Sequence, residues 1–224
     1  MPFRDRRDAG RRLVGRLSAF RDQDVVVLGV PRGGVPVADE VARALHVPLD
    51  VIVVRKLRVP YQREMVFGAI GEYGVTVVDK DLMGRAFVST AERKRVTLEA
   101  RDELSRSLAR YRKEFPRVPL SGRTAVIVDD GVATGATAHA ACAIVRRQGA
   151  ARVVYAAPVG SCLPVRALGA SADNVVCIET PELFHSVRQW YQHFEEVTEA
   201  QVCALLADAA PLRSRPGSPP PVPH

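Results

Sequence analysis

Residues 124–140 read TAVIVDDGVATGATAHA. The apolar, partly β-branched run Ala125–Val128 has the length of a buried strand rather than a helix, and it ends in two adjacent carboxylates, Asp129 and Asp130. Gly131 and Gly135 permit tight backbone paths, and helical periodicity begins at Thr137 and runs to Gln148. Strand, glycine turn and helix in this order place the carboxylates at the C-terminal edge of a parallel sheet, where open α/β proteins bind ligands. Amides and hydroxyls of Thr134 and Thr137 at the helix start suit an anion. Carboxylates repel phosphate but accept hydrogen bonds from sugar hydroxyls. The ligand expected here is polar at one end and phosphorylated at the other, and a ribose phosphate fits. Successive side chains at a strand end point to different sides, so only a turn brings both carboxylates to one ligand. An isolated DDG more often just caps a turn; the longer pattern favours the ligand.

The same alternation extends both ways. Upstream lie an N-terminal helix within residues 3–20, the strand DVVVLGV, a helix Val35–Leu45 and a strand Val51–Val54. Extended pieces follow at Phe67–Ile70 and Val75–Val78, then a long charged helix, Thr90–Lys113. Downstream come strands Arg152–Ala157 and Asn174–Ile178, with a short helix Leu163–Leu168 between them and a last helix Thr198–Ala209. Strands alternating with helices predict an α/β fold, a mainly parallel central sheet flanked by helices. One domain over residues 1–210 is expected. The stretch 211–224, PLRSRPGSPPPVPH, holds six of the sixteen prolines and is expected to be a disordered tail.

The chain has 224 residues, 47% of them hydrophobic and 25% charged, which excludes a largely disordered chain. No run of eighteen apolar residues could span a bilayer, and the start lacks a secretory apolar core, so no membrane partner and a cytoplasmic location are expected. The four cysteines lack the close pairs of a zinc site and read as reduced, mostly buried fillers. A net charge of +7 favours an anionic partner without naming it. It leaves nucleic acid as a disfavoured partner, because the basic residues are interspersed with acids and no RNA-reading module is evident.

Two further loops carry suitable chemistry. GVPRGGVPVADEVA (residues 29–42) follows the first strand and sets Gly29, Gly33 and Gly34 around Arg32 before a helix, an arrangement that suits an anion. The alternative is a tight βα connection whose arginine faces solvent. VIVVRKLRVPYQREMVFGAI (residues 51–70) ends a strand in Arg55 and Lys56. These cations either meet an anion or form a solvated strand edge. Glu64 either assists a nucleophilic nitrogen or pairs with Arg58 or Arg63. No GxxxxGK motif, no GxGxxG after a strand and no GxSxG elbow occurs.

The strand, the two aspartates and TGAT resemble the diphosphate-sugar signature of the type I phosphoribosyltransferases, which use 5-phospho-α-D-ribose 1-diphosphate (PRPP). The resemblance implies their Rossmann-like fold with a small hood or accessory element. It implies that Asp129 and Asp130 contact the ribose hydroxyls or orient magnesium, and that Ala133, Thr134, Gly135, Ala136 and Thr137 hold the 5-phosphate. The loop with Arg32, Gly33 and Gly34 would receive pyrophosphate, through a non-proline cis peptide near Pro31, Arg32 or Gly33. Arg55 and Lys56 would meet the departing diphosphate, and residues 57–67 would form a mobile closing loop. Gly131 and Ala136 depart from a pattern with a bulkier residue and a second glycine, which bears on what closes the pocket. Phe184, Trp190, Tyr191 and Phe194 could stack on a nucleobase, although aromatic residues near a C-terminal helix are more often core. The implied reaction is magnesium-dependent transfer of phosphoribose from PRPP to a nitrogenous acceptor by a homodimer. The alternative is a PRPP-sensing regulatory or RNA-binding protein that retains the fold.

Overall fold

The computed structural model describes residues 2–209, the Arg63 side chain excepted; the proline-rich stretch 211–224 lies outside the described residues. The core is a five-stranded parallel sheet made of Val25–Gly29 (β1), Leu49–Val51 (β2), Thr124–Val128 (β6), Arg152–Val159 (β7) and Asn174–Glu179 (β8), in the order β2-β1-β6-β7-β8. Its central strands are buried beyond their first residues, Thr124 in β6 and Arg152 in β7, because both faces are covered. Val25, Val27, Val126, Val128, Val154 and Ala156 join one core with helices Arg6–Leu17 (α1) and Gly34–Leu45 (α2). Val26, Leu28, Ala125, Ile127, Val153 and Tyr155 face the other way, onto helix Ala136–Arg147 (α5). From β1 the chain first adds β2 on one side and later β6 on the other, so the strand order reverses between β1 and β6. A crevice opens at such a reversal, beyond the carboxyl ends of the strands.

The expected strand Val51–Val54 is two strand ends separated by a change of sheet. β2 stops at Val51, the Ile52 amide donates to the Gly29 carbonyl at 3.1 Å, and the Val53 amide donates to Glu72 Oε1 at 3.0 Å. Val54–Val59 (β3) then opens a second, antiparallel sheet with Gln62–Gly71 (β4) and Thr76–Val78 (β5). Residues 57–67 are therefore a hairpin rather than a loop. Leu57 and Val59 are buried while Lys56 and Arg58 are exposed, the two-residue alternation of a half-buried strand.

The hairpin base is clamped by charge. Glu72, 2% exposed, pairs with Arg117 and lies 3.9 Å from Arg112, which also holds the buried Asp50 at 2.7 Å. Helix Thr90–Glu114 (α4) starts in a Ser89–Glu92 capping box and turns Ala100, Leu104, Ser107 and Tyr111, spaced four, three and four residues apart, inward to pack on β3. The remaining helices are Lys80–Arg85 (α3), Cys162–Ala167 (α6) and Glu199–Asp208 (α7). No helix among the described residues is long and apolar enough to cross a membrane.

Candidate active site

The loops after β1 and β6 meet at the strand-order reversal. The Val30 amide donates to the Val128 carbonyl at 2.9 Å, and the Pro31–Arg32 peptide is cis, in the segment where the family resemblance places such a bond. Gly33 and Gly34 let the loops touch. A Cβ on Gly34 would lie 2.6 Å from the Val128 oxygen and 2.8 Å from the Asp129 Cα, and one on Gly33 would lie 2.0 Å from Asp130 Oδ2.

Beyond the carboxylates, Gly135 takes φ 78°, a left-handed conformation that favours glycine, and α5 begins at the next residue. No side chain caps this helix and no acidic residue occupies its first turn. The Thr137 hydroxyl is buried without a hydrogen-bond partner among the described residues. A helix start with uncapped amides and a free hydroxyl has the make-up of an anion cradle.

A cavity of about 220 Å³ joins this cradle to the carboxylates, lined among others by Lys56, Asp129, Asp130, Thr134, Gly135 and Thr137. Asp129 Oδ1 accepts the Asp130 amide at 2.8 Å, and its Oδ2 lies 3.4 Å from the Tyr155 hydroxyl. Burial pushes the Asp129 carboxyl up to about 7, helped by the adjacent Asp130 charge and opposed by Lys56. The folded carboxyl thus keeps its proton to higher pH than an unfolded aspartate, and its contribution to stability declines as pH rises from about 4 toward 7. With Asp130→Asn the midpoint of Asp129, followed by carboxyl-carbon NMR, is expected to fall; an unchanged midpoint would leave burial as the whole cause.

Asp130 is held from outside the sheet. Its Oδ2 accepts Arg6 Nε at 2.9 Å, and its carbonyl accepts the Tyr191 hydroxyl at 2.7 Å. Sequence reasoning missed Arg6, Tyr155 and Val187. Val187 fills the space that Gly131 leaves, because a Cβ there would lie 2.7 Å from it, and so it answers what closes the pocket at this departure. Phe194 lines the same cavity, while Phe184, Trp190 and Tyr191 pack with Phe3 and Val159 in a small aromatic core. Core packing is thus the better description of most of these aromatics.

The other expected residues separate. Lys56 lines the cavity, but neighbouring strand residues point to opposite sides. Arg55 accordingly turns to α4, where it donates to Ser107 Oγ and lies 3.8 Å from Glu103. Arg32 pairs with Glu196 at the edge of an adjoining cavity. Glu64 sits exposed on β4, outside the residues that line the carboxylate cavity, so the structure does not bring it to Asp129 and Asp130. His139 lies within α5, its Nδ1 2.8 Å from Ser171 Oγ, and burial pushes its imidazole below the ordinary value.

Comparison with known proteins agrees with this architecture. The family model described as "Phosphoribosyl transferase domain" matches residues 6–187, and the chain belongs to the type I phosphoribosyltransferase family. It is 50% identical over 204 residues to proteins from two Mycobacterium tuberculosis strains, CDC 1551 and H37Rv, that are provisionally named phosphoribosyl transferases. That match covers 91% of this chain and 46% of those proteins, so the chain spans about half the length of these curated relatives. The crystal structure of TT1426 from Thermus thermophilus is similar, with a TM-score of 0.77 and 43% identity over 93% of this chain and 99% of that one.

Proposed function

We propose that this protein binds PRPP in the cavity at the strand-order reversal and transfers its phosphoribosyl group to a nitrogenous acceptor resembling a nucleobase. The observation that carries the reading is the joining, in one cavity, of an uncapped helix start with a free buried hydroxyl, two carboxylates and Lys56. The turn Ala133–Thr137 holds the 5-phosphate and fixes one end of the sugar. Asp129 and Asp130 accept the ribose hydroxyls at the other, which orients C1 toward the loop of Arg32, Gly33 and Gly34. Holding both ends removes the rotational freedom that a productive displacement would otherwise lose.

The C1–O bond to diphosphate breaks and its electron pair leaves with the diphosphate. The acceptor nitrogen supplies the pair for the new C1–N bond and loses its proton to solvent. Lys56 faces the departing charge as a compact cation, and Arg32 receives diphosphate oxygens once these replace Glu196. Arg55 acts at longer range, from the far side of β3.

The donor set fits magnesium carried by the diphosphate rather than caged by protein. Among the described residues no group of three or more His, Cys, Asp or Glu side chains converges, and Asp129 and Asp130 would hold the ion through water. The chemistry the ion would supply there is partial neutralisation of the leaving diphosphate. The reading includes a homodimer acting in the cytoplasm, with light scattering as the check on mass.

The deciding experiment incubates the protein with PRPP, magnesium and a panel of nitrogenous acceptors and follows pyrophosphate release. Turnover with one acceptor is expected, reduced at least about tenfold in Lys56→Ala with folding stability unchanged. PRPP binding without release across the panel would instead favour a PRPP-sensing regulator, and no binding would end the reading.

A further inference from the structure

Arg6 belongs to the first turn of α1, far in sequence from every loop of the cavity, yet its side chain is only 11% exposed. Three restraints of different kinds meet on its guanidinium. Nε donates to Asp130 Oδ2 at 2.9 Å, Nη1 donates to the Glu195 carbonyl at 2.7 Å, and the Cζ atom lies 3.8 Å from the centre of the Phe194 ring. A planar fork satisfies all three at once, which the point charge of a lysine cannot. α1 is fixed without it, through Leu13 and Leu17 in the core and the Arg7–Glu40 ion pair at 3.0 Å. Arg6 is therefore not needed to seat its own helix.

We propose that Arg6 is a positioning residue of the PRPP site, acting through Asp130; this rests on the function proposed above. Asp130 Oδ2 is committed to Arg6 and packed against Gly33, where even a Cβ would come within 2.0 Å. That leaves Oδ1 as the oxygen available to a ribose hydroxyl in the cavity that Asp130 lines. The Tyr191 hydroxyl on the Asp130 carbonyl, at 2.7 Å, fixes the backbone beneath the same group. The arginine also sets a cation directly beside one of two adjacent carboxylates. The ribose end of the site is thus built partly from the N-terminal helix, with Phe194 as the platform on which the guanidinium rests.

A double-mutant cycle on PRPP affinity separates this role from a merely structural ion pair. Titration calorimetry with PRPP and magnesium would compare the wild-type protein with Arg6→Gln, Arg6→Lys, Asp130→Asn and the double variant Arg6→Gln/Asp130→Asn, alongside unfolding midpoints without ligand. Arg6→Gln is expected to weaken binding about tenfold, Arg6→Lys by less, and the double variant no further than Asp130→Asn alone. A lowered unfolding midpoint with unchanged PRPP affinity in Arg6→Gln would reduce the pair to a structural one and overturn the proposal. A full additional loss in the double variant would overturn it differently, by showing that Arg6 acts without Asp130. If the wild-type protein itself binds no PRPP, the proposed function fails and this role fails with it.

Discussion

Asp129→Asn combined with Asp130→Asn is expected to weaken PRPP binding by at least about a hundredfold above pH 7, where Asp129 has lost its proton and each exchange replaces a charge-assisted hydrogen bond to a ribose hydroxyl with a neutral one. The fold should survive. Asparagine keeps the shape and an oxygen to accept the Asp130 amide, and removing two adjacent charges relieves the repulsion that helps to raise Asp129. Lost contact with Arg6 works the other way. The unfolding midpoint should therefore move by only a few degrees while calorimetric binding collapses. Affinity that persists unchanged in the double variant would remove the ribose from these carboxylates altogether.

Glu72→Ala should cost about 3 kcal/mol of folding stability, because it leaves the buried Val53 amide and the half-buried Arg117 guanidinium without their carboxylate, while Arg112 keeps Asp50. Glu72 accepts the Val53 amide at 3.0 Å and pairs with Arg117, with Arg112 at 3.9 Å. The figure belongs at the low end for a broken buried pair because the Arg117 side chain is 34% exposed and water screens part of the interaction. Since this clamp holds the base of the hairpin that carries Lys56, phosphoribosyl transfer should suffer beyond the loss of folded protein. Denaturant unfolding measures the first effect and specific activity per folded molecule the second. A loss below about 1 kcal/mol would mean that solvent reaches the clamp freely.

The central strand and its turn were legible because local chemistry and fold agree there. Val126–Val128 must be buried on both faces, and φ 78° at Gly135 favours glycine. The first loop was legible for the same reason, through glycines that allow two loops to touch. The hairpin was missed because the closing loop over 57–67 came from the family resemblance, although Leu57 and Val59 carry the strand alternation in full view. Reading Arg55 and Lys56 as a pair ignored that same alternation, which sends one to α4 and the other to the cavity. Arg6 was hidden for a different reason. It is one of five arginines in α1, and nothing local distinguishes the one that reaches Asp130. The role of Gly131 likewise becomes visible only with Val187 against it.

The supports of Asp130 also bear on when the site comes into being. Its carboxylate partner is 124 residues away in sequence and its carbonyl partner 61 residues away, on opposite sides of it. Close by, the Phe3 amide donates to the Trp190 carbonyl at 2.8 Å and the Gln192 amide to the Phe3 carbonyl at 2.9 Å. Contacts of such long separation follow loop closure rather than precede it. During synthesis the βα unit of Asp129 and Asp130 can take shape while its outer braces are still missing, and only the arrival of residues 190–192 beside the early helix completes them. Both supports of Asp130 are therefore in place only once residues 190–192 lie beside the helix that carries Arg6.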